Sequence, residues 1–255
     1  MKIVVAIKQV PSLADEVELN AEGTNLDFDA VDFVLNEWDE QAIEQAVLVK
    51  EAGSGAVTVI GVDATGELDG VLHTALAKGA DAVAKVAGEF EPGLTSHAQA
   101  RLLSSAIIDM APDLVLTGVQ APDDLDGQLG PMLAALMDLP YVGVVNSVQV
   151  SGRTATVHKE YAGGLMAEFS VQLPAVIGIQ AASQPPRYAP VSKVRQLAKT
   201  ATIEEIETAE DELESGLSVR SMTRPVSVGH ADMIAGDAKA VAGRIIAILN
   251  ERGLI

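Results

Sequence analysis

Cysteine is absent from this chain of 255 residues, which excludes disulfides, thiolate nucleophiles and cysteine-based metal or iron–sulfur sites. Basic residues are few: 17 lysines and arginines stand against 36 aspartates and glutamates, a formal charge of −19. A surface of that sign repels both the nucleic-acid backbone and anionic membranes. No apolar run is long enough to span a bilayer, and residues 2–8 form a strand-like pattern rather than a secretory leader. The expectation is a cytoplasmic protein. Catalytic signatures are scarce as well. His73, His97, His158 and His230 are far apart and none has metal-ligand spacing. No G-x-S-x-G elbow, Walker-type loop or dinucleotide G-x-G-x-x-G after the first strand is present.

Aromatic residues make up only 3% of the chain, while 48% is hydrophobic, chiefly Ala, Val, Leu and Ile. That usage fits a parallel sheet covered by helices. Strand patterns at residues 3–7, 57–62, 82–86 and 114–118 alternate with helical patterns at 39–52, 68–78 and 97–110. The rhythm predicts a doubly wound α/β fold with right-handed crossovers, in which ligands bind at the C-terminal ends of the strands. After Pro140 short strands follow at 142–145, 148–150, 154–158, 169–171 and 175–179, partly antiparallel, with a hairpin turn at Ser151-Gly152. Beyond Pro185-Pro186 the core signal stops. Residues 203–214 are heavily acidic, and 235–250 form an amphipathic helix that packs either on its own domain or on another subunit. The expected division is a nucleotide-binding domain over 1–185 and a docking loop with a C-terminal arm over 186–255.

Residues 118–131 (GVQAPDDLDGQLGP) follow a buried strand pattern and precede a helical one, with Pro131 near the first helical turn. Free N–H groups at a helix start favour an anion, and Gly127 and Gly130 would let the backbone approach a phosphate. The alternative is an acidic surface loop with glycines for turning. Asp123, Asp124 and Asp126 suit a metal or an acid pair, or equally a solvated loop bonded to backbone N–H groups. Asn36 or Asp39 is expected to cap the helix that follows, and Trp38 either packs or stacks on a flat ring.

Residues 2–11 (KIVVAIKQVP), 36–50 (NEWDEQAIEQAVLVK), 74–81 (TALAKGAD) and 118–131 share a further property. Together with Gly163-Gly164, Leu173-Pro174-Ala175-Val176 and Pro186-Arg187-Tyr188-Ala189, they resemble the beta subunit of electron transfer flavoprotein, in one order and with compatible spacing to about residue 199. The resemblance implies a heterodimer with an alpha subunit that carries the redox-active FAD. It also implies an adenine nucleotide in this chain, AMP or a second FAD. By position the nucleotide pocket comprises Ala6, then Asn36, Glu37, Trp38 and Asp39, and Val62 or Asp63. From the loop it takes Asp123, Asp124, Leu125, Asp126, Gly127 and Gln128, and from the helix start Leu129, Gly130, Pro131, Met132, Leu133 and Ala134. Leu13 and Trp38 fall near the flavin ring held by alpha. Tyr188 and Val191 belong to a loop that docks on electron-donating dehydrogenases.

The implied role is an electron carrier rather than a stand-alone enzyme, delivering electrons to a quinone-linked acceptor. Electron bifurcation, with FAD in the beta pocket oxidising NADH, is the alternative within the family. A non-redox nucleotide sensor is the alternative outside it. Three departures from the family pattern leave the nucleotide and the dehydrogenase open: Ser12, Asp126-Gly127-Gln128, and Val191 in place of a leucine.

Overall fold

The computed structural model describes residues 1–12, 17–53, 55–90, 93–124, 126–207, 219–224, 229 and 231–255. Two compact units divide the chain, Met1–Met222 and Thr223–Ile255. The first is built on a nine-stranded sheet. In chain order it contains β1 (Lys2–Ile7), β2 (Gln9–Pro11), β3 (Phe33–Leu35), α1 (Glu37–Ala52), β4 (Ala56–Val62), α2 (Leu68–Lys78), β5 (Ala82–Ala87), α3 (Ser96–Met110) and β6 (Leu114–Gly118). There follow α4 (Leu129–Leu136), β7 (Tyr141–Ser151), β8 (Thr154–Tyr161), β9 (Leu165–Gln172), β10 (Ala175–Ile179), α5 (Val191–Thr200) and β11 (Glu204–Glu207). The second unit contains α6 (Ala238–Glu251).

Strand order is β11-β5-β4-β1-β6-β10-β7-β8-β9, parallel from β11 to β7 and antiparallel at the β7–β8–β9 end. Strand β1 is wholly apolar after Lys2, as a strand covered on both faces must be. Its alternation divides the core in two. Ile3, Val5 and Ile7 pack with α1 and α2, whereas Val4 and Ala6 pack with α3 and α4. The chain leaves β1 towards β4 and β5, then returns to pair β6 on the other side of β1. The β1–β6 junction is therefore the point at which the winding reverses, where an α/β sheet opens a crevice.

Four elements, in two places, lie outside the sequence expectation. A small antiparallel pair, β2 with β3, brackets an insertion between β1 and α1. At the far edge, acidic β11 adds in parallel to β5, and α5 packs on α2. An edge strand reading Glu204-Glu205-Ile206-Glu207 holds because Lys85, 12% exposed, meets Asp63, Asp69 and Glu205 at 3.1, 2.9 and 3.3 Å. Burial opposes its charge, but the bonds to Asp69 and Asp63 raise the ammonium pKa above its usual value. Ile206 meanwhile packs against the second core cluster. Helix α6 is amphipathic yet buries none of its residues; Ile245 and Ile246 are exposed.

The core predicts its own sensitivity. Ile43→Ala, at a fully buried site on α1, is expected to cost about 2–5 kcal/mol. Ile108→Ala, half exposed on α3, should stay within about 0.5 kcal/mol. Urea denaturation of the two variants checks the contrast, and equal losses would contradict the layer assignment.

Candidate functional site

A cavity of about 500 Å³ opens at the C-terminal edge of the sheet. Its walls come from four loops. Gln9 and Pro11 follow β1, Val62, Ala64 and Thr65 end β4, Thr95, Ser96, His97 and Gln99 begin α3, and Asp123, Asp124, Asp126 and Gln128 lead into α4. The insertion before α1 closes one side with Asn25, Leu26 and the stacked rings of Phe28 and Phe33, 5.8 Å apart. Val219 and Met222 complete the lining, and the Met222 N–H donates to the Gly23 carbonyl at 2.7 Å. Two helix N-termini thus converge on one space, each with the partial positive charge of its free N–H groups. Thr95 caps α3 by accepting from the Ala98 N–H.

Behind the cavity the strand ends are tied by one carboxylate. Asp39, 1% exposed, accepts from the Lys8 N–H at 2.7 Å and from the Gly118 N–H at 2.8 Å. These are the first amide after β1 and the last of β6. Burial pushes the Asp39 carboxyl up to about 6, against the opposing pull of those two N–H bonds, Asn36 and the Lys8 charge. Neither Asn36 nor Asp39 caps α1 with its side chain, contrary to expectation. Asn36 sits at the cap position but donates its amide to the Gln120 carbonyl at 2.9 Å, while Asp39 lies inside the helix and reaches the strand ends. Asn36 Oδ1 is buried without a protein partner beside a void of about 10 Å³, the room of one water molecule.

Lys8 is a buried charged residue at the edge of the site that sequence reasoning passed over. It is 3% exposed, and its ammonium meets Asp123 at 2.7 Å and Ser96 Oγ at 3.2 Å. Ser96 in turn donates to Asp124, whose Oδ2 also accepts from the Gln128 N–H at 2.9 Å. A charge this deep is tolerated because it is paired and bonded. The only signal in the sequence was a lysine one residue past a buried strand, on the ligand edge. Thr65, Thr95 and Ser96 carried a clearer one, since they follow strands whose C-terminal ends line that edge.

The expected site residues divide into several groups. Val62, Asp123, Asp124, Asp126 and Gln128 line the cavity. Asn36, Asp39 and Gly127 stand behind it at the small void. Ala6, Leu129, Leu133 and Ala134 are buried in the second core cluster, with Met132 packed against it. Asp63 faces Lys85 and accepts from the Leu68 N–H. Pro131 and Glu37 are exposed, and Trp38 is half-buried against Gly118. Leu13, Leu125 and His230 lie outside the described residues. Among the described residues no group of His, Asp and Glu side chains is arranged to hold a metal ion.

The glycines have steric reasons of their own. Gly127 has φ +64°, and a Cβ there would strike the Val119 carbonyl oxygen. A Cβ on Gly130 would lie 2.8 Å from Thr117 Oγ1 and 2.9 Å from the Tyr141 ring. Burial raises the Tyr141 phenol to about 12. Gly130 therefore serves the packing of α4 on β6 and β7.

Asp39 yields a test in two parts. Asp39→Asn keeps the shape but turns an NH2 toward one of two backbone donors, so it should cost about 1–3 kcal/mol at pH 7. In the wild type the folded carboxyl titrates near 6 and the unfolded one near 4. The folded state therefore holds the extra proton between those values, and this contribution to stability falls as pH rises through the window. The wild-type advantage over Asp39→Asn should shrink by up to about 3 kcal/mol from pH 4 to 6.5. Denaturation curves at several pH values will check it, and a difference that does not change with pH would exclude the assigned titration.

Comparisons with known proteins agree with one another. The family model described as "Electron transfer flavoprotein domain" matches residues 25–211. The electron transfer flavoprotein subunit beta of Methylophilus methylotrophus is 34% identical over 262 residues, covering 98% of both chains. The mitochondrial subunit beta of Oryza sativa subsp. indica is 33% identical, covering 88% of this chain and 90% of its own. That of Thermoanaerobacterium thermosaccharolyticum is 28% identical over the full length of both. With a matching family model over most of its length and relatives above 30% identity along nearly all of it, this chain belongs to the electron transfer flavoprotein beta-subunit family.

Proposed function

We propose that this chain binds one adenine nucleotide, AMP, in the cavity at its sheet edge and pairs with an alpha subunit that carries FAD. The flavin supplies one- and two-electron chemistry, and this chain supplies binding, orientation and electrostatics. The cavity of about 500 Å³, set between the N-termini of α3 and α4, carries the reading. Its volume lies within the range of small-ligand sites. Its polar groups are suited to a nucleoside monophosphate. Thr65, His97, Gln99 and Gln128 offer hydrogen bonds along the walls. The two helix N-termini favour a single phosphate, while Asp123, Asp124 and Asp126 oppose a more highly charged one. Lys8, already paired with Asp123, leaves little positive charge to spare.

The exposed apolar residues of α6, Ile245 and Ile246, fit a helix that packs on the alpha subunit. A second exposed apolar surface is formed by Val191, 57% exposed at the start of α5, and Tyr188, 80% exposed just before it. These two form the surface that meets an electron-donating dehydrogenase. Burial of such projecting apolar groups gives on the order of 1–3 kcal/mol each, enough for a rapidly exchanging complex.

The heterodimer, co-expressed and purified, tests the reading through its visible spectrum and extracted nucleotide. One FAD and one AMP are expected; two FAD would indicate the bifurcating role, and no flavin would end the redox reading. Placement of the nucleotide has its own check. Ala64→Trp fills the cavity from its β4 loop and should reduce AMP to about a tenth of the wild-type content at unchanged circular dichroism. Unaltered content would move the nucleotide elsewhere. Val191→Ala should raise the apparent KM for the carrier about fivefold in a dehydrogenase-coupled assay, with normal chemical reduction of the flavin. An unchanged KM would remove Val191 from the docking surface.

A further inference from the structure

The polar side of α1 is not a solvated face. Gln41, Glu44 and Gln45 lie on neighbouring turns, and Glu44 and Gln45 are 3% and 1% exposed. Their acceptors are spent on the backbone of one segment. The Ala182 N–H donates to Gln41 at 3.0 Å, the Ser183 N–H to Gln45 at 3.0 Å and the Arg187 N–H to Glu44 at 2.9 Å. The Arg187 guanidinium adds a fork to Glu44 at 2.9 Å and reaches Glu51 at 2.7 Å. From α2, Lys78, 6% exposed, donates to the Arg187 carbonyl and pairs with Glu40 at 2.7 Å. Arg187 is thus held at its N–H, its carbonyl and its side chain.

Past this point the chain projects. Tyr188 is 80% exposed, and Pro190, with φ −61°, leads into α5. Lys193 then donates to the Ala77 carbonyl at 2.7 Å and fixes the first turn of the helix. The stretch from Tyr188 to Ser192 is an arch with both feet anchored. An arch so anchored loses little conformational freedom on meeting a partner, and for a small apolar contact that saving decides the affinity.

We infer that Glu44 and Arg187 are positioning residues for partner docking: the ion pair between them, closed by Lys78, holds the Tyr188–Val191 arch in its binding conformation. The inference rests on the reading of that arch as the surface that meets the dehydrogenase. It assigns Glu44, remote in sequence from the arch, a role in affinity rather than in the flavin's reactivity.

The test uses the intact heterodimer in the dehydrogenase-coupled assay. Glu44→Gln should raise the apparent KM for the carrier about tenfold, with kcat at saturation, flavin content and chemical reduction of the flavin unchanged. The double variant Glu44→Met with Arg187→Met removes both charges at similar volume, so it should be more stable to heat than Glu44→Met alone, which strips the Arg187 guanidinium of its buried partner. Its KM should nevertheless stay raised, because the backbone N–H at position 187 has lost its acceptor on residue 44. This variant carries the test if Glu44→Gln does not fold. A double variant that regains both stability and wild-type KM, while Val191→Ala still raises KM, would overturn the clamp and leave the docking surface standing. If Val191→Ala and Tyr188→Ala also leave KM unchanged, the docking reading fails and the clamp falls with it.

Discussion

Where two parallel strands part company at the edge of a sheet, each leaves backbone donors with no neighbouring strand to accept them. At the β1–β6 junction that need falls on a single side chain. The Asp39 carboxylate gives one oxygen to the Lys8 N–H and the other to the Gly118 N–H, holding the strand ends together at the point where the winding reverses. The approach is so close that a Cβ on Gly118 would lie 2.5 Å from Asp39 Oδ1 and 2.8 Å from the backbone of Trp38. Helix α1 is drawn against the sheet at its very first turn. Asn36, bonded to the Gln120 carbonyl, holds the next loop in turn, so the wall of the cavity inherits its position from this tie.

From that tie the polar groups run outward in one connected chain. Lys8 meets Asp123 and Ser96, Ser96 meets Asp124, and Asp124 meets the N-terminus of α4. A carboxylate of the protein thus already satisfies the Gln128 N–H, where the loop-to-helix order alone suggests a bound phosphate. A strongly acidic chain keeps its buried lysine neutralised and offers an incoming ligand helix dipoles rather than free ammonium groups.

A similar economy governs the far side of α1. Its polar residues are buried because the returning backbone of 182–187 needs acceptors and the helix supplies them. One helix therefore serves three surfaces at once: its apolar side builds the core, its first turn ties the strand ends, and its polar side fixes the segment that leads to α5.

The α/β rhythm, the apolar strands, Pro131 near the start of α4 and the likeness carried by separated motifs were all legible in the sequence. Each is a local pattern: alternation, periodicity, or residues adjacent in the chain. Strand β10 (Ala175–Ile179) and helix α2 (Leu68–Lys78) fall on their expected bounds for that reason. Helix α5 and strand β11 did not stand out, because α5 half-buries only Val194 and Leu197 and β11 reads as an acidic run until Lys85 is placed beside it. The roles of Lys8, Glu44 and Asp39 were equally hidden. Lysines and carboxylates look alike in sequence whether solvated or paired, and Asp39 had every mark of a helix cap. Sequence alone marked out the central α/β rhythm, the strands of the parallel core and the helices between them. Only the tertiary structure decided which charged side chains leave water, because that depends on partners 31 to 143 residues away along the chain.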